Sequence, residues 1–222
     1  MLLAIDTATK NSSIALYNEN GVQVEINWHT RENHTVELMP QILHALELAH
    51  IEKKDLVAIG VALGPGSFTG LRVGMSVAKG LAFAAKIPIL GVPTLDAIAA
   101  AHLFHSQPFY AILTAGRGRY SVAPYTVRAG RAERVGEYAL VNAEGLIARA
   151  RGIESPKILF CGEIDAALAE KIAQALGERA LIAPPAMNAR RAGFLAELAW
   201  ARLQRGEADD VESLAPVYTL SL

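Results

Sequence analysis

The chain has 222 residues, 52% of them apolar and 19% charged, a balance that fits one large globular domain or two small ones and excludes intrinsic disorder. Its 21 basic and 22 acidic residues leave a net charge of −1, so no whole-molecule field draws it to nucleic acid or anionic lipid. Cys161 is the single cysteine, which excludes an intramolecular disulfide and fits a reducing compartment. No run approaches the roughly 18 apolar residues of a membrane span, and the start lacks the basic segment of a secretory signal. The expectation is a soluble cytoplasmic protein with no membrane contact.

Residues 2–5 form a short apolar run closed by Asp6-Thr7-Ala8-Thr9, a turn composition. Two more strand patterns follow at residues 13–17 and 22–28, separated by Asn18-Glu19-Asn20-Gly21. A helical period covers residues 34–49. Residues 57–63 lack alternation, as a central strand covered on both faces does. A Gly-rich turn leads into a helix over residues 70–85, a strand over 87–91, and a helix that Thr94 is placed to cap, through about Leu103.

Gln107-Pro108 marks a break, after which the pattern partly restarts. Ala111-Ile112-Leu113-Thr114-Ala115 matches Ala4-Ile5-Asp6-Thr7-Ala8, and Ser121-Val122-Ala123-Pro124-Tyr125 matches Ser13-Ile14-Ala15-Leu16-Tyr17 after one inserted residue. The pattern predicts a duplicated β-hairpin unit, each copy opening one domain. A strand over 157–161 and helices over 165–176 and 189–204 complete the second half.

Asp at a strand end followed by hydroxyl residues can hold a metal-bound water or a phosphate; an ordinary Asp turn has the same composition. The second copy has Leu113 where the first has Asp6, and Leu binds neither phosphate nor Mg²⁺. The run Gly64-Pro65-Gly66-Ser67-Phe68-Thr69-Gly70-Leu71-Arg72-Val73-Gly74 is not a dinucleotide fingerprint, a Walker loop or a nucleophile elbow. It reads as a tight strand-to-helix turn capped by Ser67 or Thr69. His34 opens the first helix, but Leu38 stands where a helical zinc pair needs a second His. On that helix Val36, Met39, Leu43 and Leu46 form one apolar stripe and Leu38, Ile42, Ala45 and Ala49 another, more arc than one core face uses. The next helix carries Gly70, Gly74, Ala78 and Leu81 in one smooth line. Arg117, Arg119, Arg128, Arg131 and Arg134 lie within 18 residues of one another, opposed only by Glu133: solvated hairpin turns, or a contact for RNA phosphates or an acidic partner.

The segments Leu3-Ala4-Ile5-Asp6-Thr7-Ala8-Thr9, Ser13-Ile14-Ala15-Leu16-Tyr17, His34-Thr35-Val36-Glu37-Leu38-Met39-Pro40 and the Gly64–Gly74 run together resemble the bacterial TsaB (YeaZ, glycoprotease-like) family. The closing Pro216-Val217-Tyr218 resembles the family's Pro-x-Tyr. After the break the family has Asp-Ala-Arg where this chain has Thr114-Ala115-Gly116. The resemblance implies an α/β fold of the actin/Hsp70-like ATPase (ribonuclease H-like) type, with two duplicated βββαβα domains at residues 1–106 and 107–222. It implies a non-catalytic role in forming threonylcarbamoyladenosine on tRNA, beside a catalytic paralogue, TsaD, and an ATPase, TsaE. On that reading Leu38, Met39, Ile42, Leu43, Gly70, Val73, Gly74, Val77, Ala78 and Leu81 bind the partner. Asp6, Thr7 and Thr9 are a vestigial phosphate loop, and the five arginines are a candidate RNA contact. No cofactor or metal is tightly bound; ATP and metal belong to the partner subunits. Alone, the chain pairs with itself. The competing reading, an independent phosphotransferase of the same fold, needs carboxylates at both phosphate loops, and Leu113 opposes it.

Overall fold

The computed structural model describes residues 1–30 and 34–218. They fall into two compact units, Met1–Ala97 with Arg190–Tyr218, and Ile98–Ala189.

The first unit opens with β1 (Leu2–Asp6), β2 (Asn11–Asn18) and β3 (Gly21–His29), a meander. There follow α1 (His34–Leu48), β4 (Ala58–Gly64), α2 (Phe68–Ala85), β5 (Ile89–Pro93) and α3 (Thr94–Ala100), within which the chain leaves the unit. The sheet order is β3-β2-β1-β4-β5, with β4 parallel to β1 and β5 parallel to β4. β1 and most of β4 are buried on both faces, which is why neither alternates. One face carries Leu3, Ile5, Ile14, Leu16, Ile59 and Val61, packed with Leu38 and Ile42 of α1 and Met75 and Ala78 of α2.

The second unit contains β6 (Phe109–Thr114), β7 (Tyr120–Arg128), β8 (Arg131–Arg134), β9 (Ala139–Val141), α4 (Ala143–Arg151), β10 (Ile158–Gly162), α5 (Ala166–Leu176) and β11 (Ala180–Ile182). Its sheet runs β11-β10-β6-β7-β8, the order of the first sheet read from the other edge. The duplication extends to register. Asp6 pairs with Ser13 and Ala4 with Ala15; Leu113 pairs with Ser121 and Ala111 with Ala123. Where the first sheet has one long edge strand, the second has two short ones, since β8 and β9 both pair with β7. Pro124 explains the split: its carbonyl accepts from Val135 N at 2.9 Å, but it has no N–H to continue the ladder on that side.

One boundary differs from expectation. The last helix, α6 (Ala192–Gln204), belongs to the first unit rather than to a domain 107–222. Its stripe of Ala192, Leu195, Ala196 and Ala199 is fully buried against Leu2, Ala4, Ala15, Ala58 and Leu90 on the other face of the first sheet. Gly60 lies under this helix, with no slack for a Cβ beside Ala199 and Leu195. The hairpin repeat locates where a domain starts, but not the return of the chain to cover an apolar sheet face.

Candidate functional site

The C-terminal end of β1 delivers Asp6 into a turn that is filled by protein. Asp6 Oδ1 accepts a hydrogen bond from Ala8 N and Oδ2 accepts one from Arg190 Nε, each at 2.9 Å. Both side chains of this ion pair are almost wholly buried, 3% exposed for Asp6 and 2% for Arg190. Arg190 also donates to Thr9 Oγ1 at 2.7 Å and to the Asn11 carbonyl. One guanidinium thus takes up the free carboxylate oxygen, a hydroxyl and a carbonyl of the loop, the acceptors a metal–phosphate group would use. A buried carboxylate demands such a partner, but sequence spacing could not select it, because Arg190 lies 184 residues from Asp6.

The Gly-rich turn closes the other side. Thr7 Oγ1 donates to the Gly70 carbonyl at 2.7 Å, and Ser67 N donates to the Ala8 carbonyl at 2.6 Å. Ser67 caps α2 by accepting from Gly70 N at 3.3 Å. A Cβ on Gly66 would strike Ala8, one on Gly70 the Thr7 carbonyl, and one on Gly74 the Thr7 hydroxyl. Those three glycines are therefore the footprint of the Asp6–Thr9 turn on the turn and helix that follow β4. His34, also buried, hydrogen-bonds through Nδ1 with Ser12 Oγ at 3.1 Å. Burial depresses its pKa; the charge of Arg190 adds to this, and Glu37 and Asp6 oppose it. The ring is a neutral structural partner, and no group of three or more His, Cys, Asp or Glu able to hold a metal occurs among the described residues. Cys161 is a packing residue, fully buried, with its thiol pushed upward by burial.

The candidate docking residues divide into two sets, which corrects the expectation that all ten lie on one outer surface. Leu38, Ile42, Gly70, Gly74 and Ala78 point inward, where the sheet and the Thr7 turn already cover them. Met39, Val73, Val77 and Leu81 are half-buried, and Leu43 is 41% exposed. The surplus apolar arc of α1 is real: Val36 is 62% exposed, on the side away from the core. A groove of ≈ 450 Å³ runs beside α2, lined among others by Thr35, Phe68, Arg72 and Val73.

The five arginines do not form one patch. Arg117 and Arg119 sit in the β6–β7 turn, closed by Ala115 N donating to Arg119 O at 2.8 Å. Arg128 and Arg131 flank the β7–β8 turn at the opposite end of β7. Arg128 pairs with Glu133 at 3.7 Å, and Arg134 lies 4.0 Å over the Tyr138 ring.

A family model described as TsaD, tRNA N6-adenosine threonylcarbamoyltransferase, matches residues 19–220. The tRNA threonylcarbamoyladenosine biosynthesis protein TsaB of Bacillus subtilis is 32% identical over 217 residues, covering 98% of this chain and 93% of that protein. The chain belongs to the TsaB family. YeaZ from Pseudomonas aeruginosa superposes with a TM-score of 0.80 at 26% identity, covering 98% of each chain. At the level of fold alone, component A of the Acidaminococcus fermentans (R)-2-hydroxyglutaryl-CoA dehydratase gives a TM-score of 0.55 at 12% identity, covering 91% of this chain and 98% of that one. The fold is of the actin/Hsp70-like ATPase class, and the two units repeat one strand order. In this TsaB-family chain no helix among the described residues is long and apolar enough to cross a membrane.

Proposed function

We propose that this chain serves tRNA threonylcarbamoyladenosine formation as a non-catalytic subunit that docks the TsaD-type catalytic paralogue, with a TsaE-type ATPase completing the cytoplasmic complex. The observation that carries the reading is the occupied loop: Arg190 holds the Asp6 carboxylate that Mg²⁺–nucleotide would need, and Leu113, 1% exposed, fills the matching place in the second unit. A phosphotransferase needs acid chemistry at both phosphate loops; here Arg190 already takes up the Asp6 carboxylate of the first, and Leu113 stands at the matching strand position of the second. The chain acts by contact. Its docking face is the outer side of α1 and α2, built on Val36, Met39, Leu43, Val73, Val77 and Leu81, which packs against an equivalent helix pair. The same face pairs two copies of this chain when the paralogue is absent. Any tRNA contact by the hairpin arginines is electrostatic and secondary.

The test has two arms. Calorimetric titration of the purified chain with Mg²⁺–ATP or Mg²⁺–ADP is expected to give no binding, and steady-state assays no turnover. Turnover above about 1 s⁻¹, the low end of ordinary enzymes, that disappears in Asp6→Ala would sink the non-catalytic reading. In the second arm, Leu43→Asp is expected to abolish self-pairing and capture of the paralogue while the monomer stays folded, read by light scattering after size exclusion with circular dichroism.

A further inference from the structure

Phe68 and Arg72 stand at the start of α2, exposed, and the closed turn makes no use of either. The Arg72 guanidinium lies 3.6 Å from the centre of the Phe68 ring, its Nε donates to Tyr218 Oη at 3.3 Å, and the Phe68 and Tyr218 rings are 5.4 Å apart. Tyr218 is carried there by a strap. After α6 the chain is held by Arg202 against Asp209 at 3.0 Å, and Asp209 Oδ2 accepts from Gly91 N at 2.6 Å. Lys79 Nζ then donates to the carbonyls of Glu212 and Leu214, each at 2.9 Å. Val217 N donates to Leu63 O at 2.7 Å, and the Val217 carbonyl sits where a Cβ on Gly64 would be. Gly64, at φ +113°, is in a region few other residues enter. The first glycine of the Gly-rich motif therefore admits the C-terminal segment, and the tyrosine of that segment completes a stack with the motif's own Phe and Arg.

This stack borders the groove beside α2. Two aromatics and an arginine are the residue types that dominate binding energy at protein interfaces. An arginine lying on a ring keeps its charge and further N–H donors, and among the described residues no carboxylate pairs with Arg72.

We propose that residues 215–218 are a working part of the docking face, in which Tyr218 fixes Phe68 and Arg72 as one anchor, and that Arg72 meets a carboxylate set beside an apolar side chain on the catalytic paralogue. The proposal rests on the helix-pair docking reading above. Tyr218 is a positioning residue; Arg72 and Phe68 make the contact.

The experiment titrates the full-length chain with the purified paralogue by calorimetry at low and high salt, with thermal melts as the folding control. Tyr218→Ala is expected to weaken binding by roughly tenfold. Tyr218→Phe keeps the ring and loses the hydroxyl acceptor, and is expected to weaken it less. Arg72→Gln is expected to weaken binding and flatten its salt dependence. Unchanged binding by Tyr218→Ala overturns the proposal, and so does tighter binding, which would make the strap a cover that the partner displaces. An unchanged salt dependence in Arg72→Gln overturns the carboxylate assignment. Leu43→Asp separates the two levels. If it loses binding while Tyr218→Ala does not, the docking face stands and the anchor falls. If neither loses binding, the helix-pair reading itself has failed.

Discussion

The hairpins β1–β2 and β6–β7 carry the same apolar register and end in opposite ways. Leu2 faces Tyr17 and Leu3 faces Leu16 in the first; Phe109 faces Tyr125 and Tyr110 faces Pro124 in the second. At the first tip the chain enters its turn at a buried Asp6, and Arg190, Gly66, Gly70 and Gly74 occupy the space around it. At the second, Leu113 is buried and Thr114 to Arg119 are exposed. Core packing tolerates little change in volume or periodicity, so the strands kept their pattern through duplication. The polar tips are free of that packing constraint. One tip was sealed by an internal cation and the other opened to water.

The sealed tip can be broken directly. Arg190→Ala leaves the Asp6 carboxylate buried with Ala8 N as its donor, and removing one partner of a buried pair costs about 3–5 kcal/mol. For a chain of this size that is a fall in Tm on the order of 10 °C. Leu113→Asp, a buried carboxylate brought to the other tip without a guanidinium, is expected to be comparably severe. A melt of Arg190→Ala indistinguishable from wild type would show that the pair does not hold the turn.

A second difference is in the histidines, all six of which lie in residues 1–106. His102, in the second unit, is fully buried with Nδ1 unpartnered. Burial, with the nearby His105 adding to it, depresses its pKa from 6.5 to about 4. The sign follows from linkage: below about pH 6.5 the unfolded chain takes up a proton that the folded chain refuses. Stability from this residue is complete above that pH and is lost progressively down to about pH 4, by about 3 kcal/mol in all. His34 shifts in the same direction in the first unit. Urea midpoints measured from pH 7 to pH 4 are expected to fall for wild type and to fall less for His102→Leu. Parallel curves would remove His102 as the cause.

Much of this contrast was legible in the sequence. The matched pentads and Leu113 in place of Asp6 gave the hairpin register and the asymmetry of the tips, because period-2 burial leaves a local signature. The Gly64–Gly74 run gave the family. Arg190 was not legible, since the charge that neutralises Asp6 is set by tertiary approach and 21 basic residues compete for the role. The inward turn of Gly74 was not legible either, because a smooth helical strip fits a partner helix or the molecule's own turn equally well. The short strands β8, β9 and β11, of three or four residues, carry too little period to read. α4 did leave a signal: an Asn142 cap, which accepts from Gly145 N at 2.8 Å, and buried Ala143, Leu146, Ile147 and Ala150 at helical spacing.

The glycines of α2 sharpen the point about the first tip, since α5, its counterpart in the second unit, has none. Gly74→Ala drives a methyl into Thr7 and is expected to cost about 1–3 kcal/mol, the usual range for overpacking. Gly80→Ala, on the same helix with nothing within 4 Å, is expected to stabilise by roughly 0.5–1 kcal/mol through helix propensity. A Gly74→Ala variant as stable as wild type would mean that the turn slides away from the helix and that the tip is not sealed by packing.

The smallest effect belongs to the exposed tips of β7. Nine residues of strand at about 3.3 Å each separate Arg117 and Arg119 from Arg128 and Arg131 by roughly 30 Å, so the two groups can be read independently. Replacing Arg128, Arg131 and Arg134 with Ala removes one exposed ion pair and one ring contact, and stability is expected to change by less than about 1 kcal/mol. In the assembled complex the same triple variant is expected to lower the slope of log tRNA affinity against log salt, by about 0.7–0.9 for each phosphate that is no longer neutralised. The Arg117→Ala, Arg119→Ala double variant, at the far end of the strand, serves as the internal comparison. A triple variant with the wild-type slope would reduce these three arginines to solvated hairpin residues, and a change confined to the double variant would move the RNA contact to the other tip.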